Sequence, residues 1–344
     1  MTRSRDVADT QDNLGGAVAP FVAGKNKIIN GDFGIWQRGT SLSVTTNAGA
    51  FLADRFLLNF AGTFTGTLSQ QTFTPGTAPV AGYEGQFFAR IVRTGTTSVA
   101  PTFYQRVENV RTFAGQTVTF SFWAKADAAR SVGIQAYQAF GTGGSGATDN
   151  NAGTASLTTS WQRFSFTYTM PSVAGKTIST SNDSWMAFYW NLPDSTAFTI
   201  DTWGWQLEAG SVATPFTPAG GGFPGAELAL CQRYYWRAKV ASGFGTLSNY
   251  WFPNTTSLAY AEVSIPVPLR ALPSAVEWGG NIGVSDGFNL IGGISSITVA
   301  GTTPFTTYVA LTTNMSSASL TVYRGYKFAD QGAGTAFLAI SAEL

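Results

Sequence analysis

From Thr117 to Lys125 the chain alternates residue by residue. Val118, Phe120, Phe122 and Ala124 fall on one side, and Thr119, Ser121, Trp123 and Lys125 on the other. A period of two is the signature of an extended strand with one buried face. The same pattern returns in Val132–Phe140, where Ile134, Ala136 and Gln138 face one way and Gln135 and Tyr137 the other. It returns again in Trp161–Thr169, with Phe164, Phe166 and Tyr168 on one face, and Trp185–Asn191 and Phe198–Leu207 extend the set. Within Trp185–Asn191, alternation separates Trp185 and Tyr189 from Trp190, so one of the two sets belongs to a core. Gly-rich loops, notably Gly141–Gly153, separate these segments, and Ile28–Phe33 reads as an apolar strand entering an Asn-Gly turn. Short strands between turn signals predict an antiparallel sandwich.

After this block, Thr214–Gly222 is a linker by composition, with two prolines and three glycines close together. Glu227–Arg237 fits a short amphipathic helix through Leu228, Leu230, Cys231, Tyr234 and Tyr235. Strands resume at Leu258–Val267, Ser296–Val299, Thr307–Thr312, Ser319–Tyr323 and Ala336–Ala342. The expected organisation is an arm over residues 1–26, a sandwich over 27–218, a linker and short helix over 219–237, and a smaller C-terminal β domain over 238–344.

Composition narrows the function. Charged residues make up 11% of the chain, against roughly 25% in an average globular domain. Lys and Arg total 20 against 19 Asp and Glu, a net charge of +1. That balance provides no broad attraction for nucleic acid. No run of 18 apolar residues is present, so membrane insertion by a helix is not expected. The chain has no histidine, which removes His-based triads and His-ligated metals. Its one cysteine, Cys231, excludes an intrachain disulfide and suits a small buried hydrophobe. Asp32, Asp54, Asp183, Asp194 and Asp201 carry no motif that marks a glycosidase pair, and no enzyme activity is expected.

Trp123, Lys125, Gln135 and Tyr137 are predicted to share one sheet face opposite the core. Sugars bind aromatic rings through their CH faces, and amides and charged groups reach the hydroxyls. Trp185 and Tyr189 supply a second aromatic pair of the same kind. Trp123 equally suits burial under a loop or a neighbouring subunit, since large aromatics bury area for stability.

Several segments together resemble a group of bacteriophage and prophage tail-fibre-like proteins. They are Asn26–Phe33, Trp36–Gly39, Ala53–Phe56, Phe120–Ala126, Ser160–Phe164, Gln206–Gly210 through Phe216, Leu230–Tyr235 and the closing Ser341–Leu344. The resemblance implies a virion appendage: a tail fibre whose residues 1–26 bind other virion proteins, which recognises a host surface glycan and assembles as a homotrimer. A structural collar, head-fibre or decoration protein is the first alternative, and a polysaccharide-degrading tail enzyme the second. The central region also resembles carbohydrate-binding modules of the jelly-roll type, which open on an Asn-Gly-Asp-Phe-like strand and close on an aromatic-Ile-Asp strand, here Phe198–Asp201. The fold class this implies is all-β: an antiparallel jelly-roll β-sandwich plus a smaller C-terminal β domain. Many such modules hold a structural calcium, and Asp32 and Asp201 are the matching carboxylates. Gly34 stands where those modules commonly carry an acidic residue. No other cofactor is implied.

Overall fold

The computed structural model describes residues 23–344 apart from 46–48, 81–82, 98, 241–244, 249–250, 254, 288, 302–307, 316–319 and 333. It divides into two compact units, Met1–Leu228 and Ala229–Leu344. The predicted arm lies mostly outside the described residues. Asn26, at its end, is buried inside the first unit.

The first unit holds β1 (Ser41–Val44), β2 (Ala50–Phe51), β3 (Phe56–Asn59), β4 (Gly66–Thr72), β5 (Phe87–Arg93) and β6 (Thr102–Gln105). It continues with β7 (Thr117–Ala126), β8 (Arg130–Ala139), β9 (Thr148–Leu157), β10 (Gln162–Thr169), β11 (Trp185–Asn191) and β12 (Phe198–Ala209). Two six-stranded sheets result, ordered β1-β4-β5-β12-β7-β10 and β2-β3-β6-β11-β8-β9. The pairings are antiparallel, and the chain crosses repeatedly between the two sheets, with β2–β3, β4–β5 and β8–β9 as hairpins within a sheet. One continuous core fills the space between them. Leu68, Ile91, Phe120, Phe122 and Ile200 come from the first sheet, and Phe56, Phe103, Ile134, Phe188 and Trp190 from the second.

Trp205 sits at the centre of this core. Its ring meets Phe56 edge-on at 5.4 Å, Phe103 edge-on at 5.5 Å and Trp190 at 4.8 Å. It points inward because β12 bulges between Trp203 and Gln206. Gly204 has φ 66° there. The extra residue leaves Trp203 outside and turns Trp205 inside. A Cβ on Gly204 would lie 2.6 Å from the Trp123 ring, so the bulge requires glycine for space as well as for conformation.

Ile28–Phe33 is not a strand. The segment runs through turns, with Asn30 at φ 59° and Phe33 at φ 56°. Its asparagines hold it in place. Asn26 Nδ2 donates to the carbonyls of Trp205 and Thr217, and its Oδ1 accepts from Ile28 N and Leu207 N. Asn30 does the same for Ile35 and Asp54. Ile28 and Phe33 still reach the core, fully buried. Here side-chain hydrogen bonds to backbone replace the strand ladder.

Three further expectations change. β9 begins inside the predicted Gly141–Gly153 loop, because Tyr137 and Gln138 pair with Asp149 and Thr148. Helix α1 spans Pro224–Gln232, starting earlier and stopping sooner than the predicted Glu227–Arg237. Pro224 suits a first helical position. Tyr235–Lys239 (β13) is a strand instead, since it pairs along its length with Phe337–Ser341 (β20). Tertiary pairing overrides the local helical pattern. Within the predicted Ser319–Tyr323 strand, residues 320–323 form no strand, and Ser319 lies outside the described residues.

The second unit is also β. β13 and β20 form a sheet with Ala275–Gly279 (β15), ordered β13-β20-β15. A five-stranded sheet is ordered β14-β18-β17-β16-β19 from Leu258–Ser264 (β14), Ile282–Ser285 (β16), Leu290–Gly301 (β17), Tyr308–Met315 (β18) and Lys327–Asp330 (β19). Val263, Val309, Leu311, Phe328, Leu338 and Ile340 make its core. Cys231 is fully buried, as its apolar neighbours in sequence suggest. No helix among the described residues is long and apolar enough to cross a membrane.

Candidate functional site

On the outer face of the second sheet, strand register aligns side chains in rows. Leu57, Tyr104, Tyr189, Gln135 and Asn151 stand in one row across β3, β6, β11, β8 and β9. Ala187, Tyr137 and Asp149 form the next row. On the other side lie Asn59, Thr102, Asn191 and Gly133. Strand alternation sends all of them away from the core, since Met186, Phe188 and Trp190 between them face inward. Of the two aromatic sets on β11, Trp190 and not the Trp185–Tyr189 pair lies in the core.

Leu57, Tyr104 and Ala187 make a buried floor, with Phe51, Trp185 and Tyr189 packed against it. The Trp185 ring is nearly parallel to Tyr137, with centroids 5.0 Å apart and planes at 23°. It is also nearly parallel to Tyr104, at 6.0 Å and 17°. The Arg106 guanidinium lies over Trp185 at 4.8 Å and over Tyr104 at 5.9 Å. Tyr189 Oη donates to Asp149 Oδ2 at 2.7 Å. Burial first, and then this bond to a carboxylate, pushes the Tyr189 phenol above its ordinary range, so it remains a protonated donor. A groove of about 310 Å³ opens here, lined by Asn59, Thr102, Tyr104, Arg106, Tyr137, Trp185 and Tyr189. Phenols, a hydroxyl, an amide and a guanidinium around stacked rings suit a polyhydroxylated ligand.

The four residues predicted to share one face do not share it. Gln135 and Tyr137 are on β8 in the second sheet, beside Trp185 and Tyr189. Trp123 and Lys125 are on β7 in the first sheet, on the opposite outer surface of the sandwich. There Trp123 is 7% exposed, packed with Phe73, Phe88, Trp203 and Phe216. Arg163 lies over its ring at 4.5 Å. Lys125 is 3.5 Å from Asp201. This face is a second small core under the chain, and Trp123 takes the covered position that its size also allowed. Alternation predicts the face of each strand but not which sheet the strand joins.

Sequence reasoning did not find Tyr104, Arg106 or Asn59. Tyr104 and Asn59 lie on strands of four residues each, too short to show a period, and Arg106 follows the end of one of them. Tyr-Gln-Arg at 104–106 was the available signal.

The motif Gln206–Phe216 is structural. Glu208 is 2% exposed and accepts from Thr214 N at 2.9 Å, Thr214 Oγ1 at 2.6 Å and Gln206 Nε2 at 2.6 Å. Gln206 Oε1 accepts from Thr217 N at 2.8 Å. These bonds fold the segment back so that Phe216 meets Trp203 at 4.8 Å.

Asp32 and Asp201 do not fit a calcium site. Asp201 is held by Arg90 through two bonds of 2.7 and 2.9 Å, with Lys125 beside it. Two cations already neutralise it. Asp32 accepts from Tyr83 Oη at 3.0 Å, and burial raises its pKa. Among the described residues no cluster of three acidic, His or Cys side chains could hold a metal ion. The raised value has a consequence for stability. The folded state holds the Asp32 proton more tightly than the unfolded chain, so its contribution is full below the ordinary 3.8 and is lost as pH rises through the folded value. Glu227 is also raised, first by its own burial, and acts in the same direction. Asp32→Asn is therefore expected to raise the melting temperature at neutral pH and to flatten its fall above pH ~4. A lower melting temperature for the variant across pH 4–8 would show that the charged form is needed.

Residues 62–191 match the family model for a carbohydrate binding domain. No curated protein matches the chain. Among solved structures, the chain is similar to a xylan-binding domain from Paenibacillus barcinonensis, at 15% identity over 50% of this chain and 95% of that one, with a TM-score of 0.30. It is similar to the N-terminal cellulose-binding domain of Cellulomonas fimi β-1,4-glucanase C, at 12% identity over 38% and 83%, TM-score 0.29. It is also similar to the enzymatically active domain of bacteriophage CBA120 tailspike protein 4, at 11% identity over 54% of this chain and 21% of that one, TM-score 0.31.

Proposed function

We propose that the first unit binds a cell-surface glycan in the groove between Tyr104 and Tyr137, and that the chain is an appendage of a tailed-phage particle. One observation carries the binding reading. Thr102, Tyr104, Arg106, Tyr137, Trp185 and Tyr189, which line the groove, all lie within the segment 62–191 that matches the carbohydrate binding domain model. The work is binding without catalysis. The virion reading rests on the resemblance carried by Asn26–Phe33, Phe120–Ala126 and Gln206–Phe216. Residues 1–26 attach the chain to other virion proteins, and copies act together, so that weak single contacts add up to firm attachment.

Binding is tested by screening the purified chain on an array of bacterial surface polysaccharides. Retention on at least one glycan is expected. Retention on none, by a chain whose melting is cooperative, would overturn the groove assignment and favour a collar or decoration role. Assembly is tested separately by light scattering on a sizing column. A mass three times that of the 36.4 kDa chain is expected for a fibre, and the mass of a single chain would rule out the homotrimer.

A further inference from the structure

The rings of the groove do not offer the platform that sugar stacking uses. Trp185 shares its ring surface with Tyr137, Tyr104 and the Arg106 guanidinium. What remains toward the groove is polar: phenol hydroxyls, Thr102, the Asn59 amide and one formal charge. Among the residues lining the groove, that charge is Arg106, a cation; the Asp149 carboxylate beside the groove already accepts from Tyr189 Oη. A second cation, Arg38, lies over Phe51 at 5.1 Å, on the β2 edge of the same sheet.

A guanidinium lying over a ring keeps its N–H donors in its own plane, clear of the ring. Stacking over Trp185 and Tyr104 also restricts the side chain before any ligand arrives, so less freedom is lost when it binds. Arg106 Nη2 is already 3.5 Å from Tyr104 Oη, which holds the fork beside a phenol hydroxyl. A planar fork of donors matches a carboxylate or phosphate better than it matches a neutral hydroxyl. The chain is otherwise poor in charge, at 11% charged residues. A single cation set among stacked rings is therefore the most selective group in the groove.

We propose that the groove selects an acidic glycan, and that Arg106 determines this by pairing with a carboxylate or phosphate on the sugar. The inference rests on the glycan-binding reading above and narrows it to a ligand class.

The test uses the full chain on an array of bacterial surface polysaccharides. Each is presented native, carboxyl-reduced (which turns uronates into neutral hexoses) and dephosphorylated. Retention is expected on acidic polymers and is expected to be lost on one of the two treated forms, which tells carboxylate from phosphate. Arg106→Met should weaken retention about tenfold or more, and raising salt from 0.05 to 0.5 M should weaken the wild type in the same way. Arg130→Gln is the control, since Arg130 pairs with Asp127 outside the groove, and it should bind as the wild type does. Arg106→Lys, which keeps the charge but not the fork, should lie between Met and wild type. Equal retention of neutral polymers, unaffected by Arg106→Met and by salt, would overturn the acidic class and leave the glycan groove standing. Retention of nothing by the wild type would overturn both.

Discussion

Trp185→Ala weakens glycan binding by about 30-fold or more, the loss typical of a central aromatic anchor of at least ~2 kcal/mol. Trp185 is the ring around which the groove is built. Tyr137 stacks on it at 5.0 Å and Arg106 lies over it at 4.8 Å. Without the indole, Tyr137 loses its stacking partner and Arg106 loses the surface that orients its fork. The cost then falls on the ligand contacts of both Tyr137 and Arg106. Titration calorimetry with the best polysaccharide from the array reads the loss, and a melting curve on the same sample reads the fold. Trp185 is only partly buried on an outer face, so the variant should still melt cooperatively. Trp185→Phe keeps a ring to stack on and should lose less. Unchanged affinity in a folded Trp185→Ala variant would remove the groove from consideration.

Trp205→Ala has the largest expected effect on stability, about 3–5 kcal/mol. The residue is fully buried and touches aromatic rings from both sheets, namely Phe56, Phe103, Phe120, Phe122 and Trp190. Its indole N–H donates to Thr202 Oγ1 at 2.6 Å. Truncation leaves a cavity that close-packed neighbours fill only in part, and leaves the Thr202 hydroxyl with one partner fewer. Denaturant unfolding of the full chain followed by near-ultraviolet circular dichroism reads the change. A loss under ~1 kcal/mol would mean that the sheets collapse onto the gap, and that the core is less rigid than its ring contacts indicate.

The strands richest in alternation were legible from residues alone. β7, β8, β10, β11 and β12 appear within a residue or two of the expected bounds, and Trp190 separates from Trp185 and Tyr189 as alternation requires. The short strands β1 to β6 were not legible, since two to seven residues with mixed burial show too little period. Ile28–Phe33 looked like a strand because a strand and a well-bonded turn can use the same apolar neighbours. What separates them is the set of carbonyls within reach, Trp205, Thr217, Ile35 and Asp54, which come from distant parts of the chain.

Sequence by itself determined the class of this protein: no histidine chemistry, no disulfide within the chain, and strands whose inward and outward residues can be read by counting in twos. That information is local, because the period of a strand is a property of its own backbone. Tertiary structure alone decided which outward residues meet. It placed Trp123 under Phe216 and Arg163, and it brought Tyr104, Arg106, Tyr137 and Trp185 together from three strands of the other sheet and its border. Adjacent residues of a strand point to opposite faces of one sheet, whereas neighbours across a sheet are joined by register. Register is set by hydrogen bonds between strands far apart in the chain, as where Trp203 pairs with Trp123, and no count along one strand contains it.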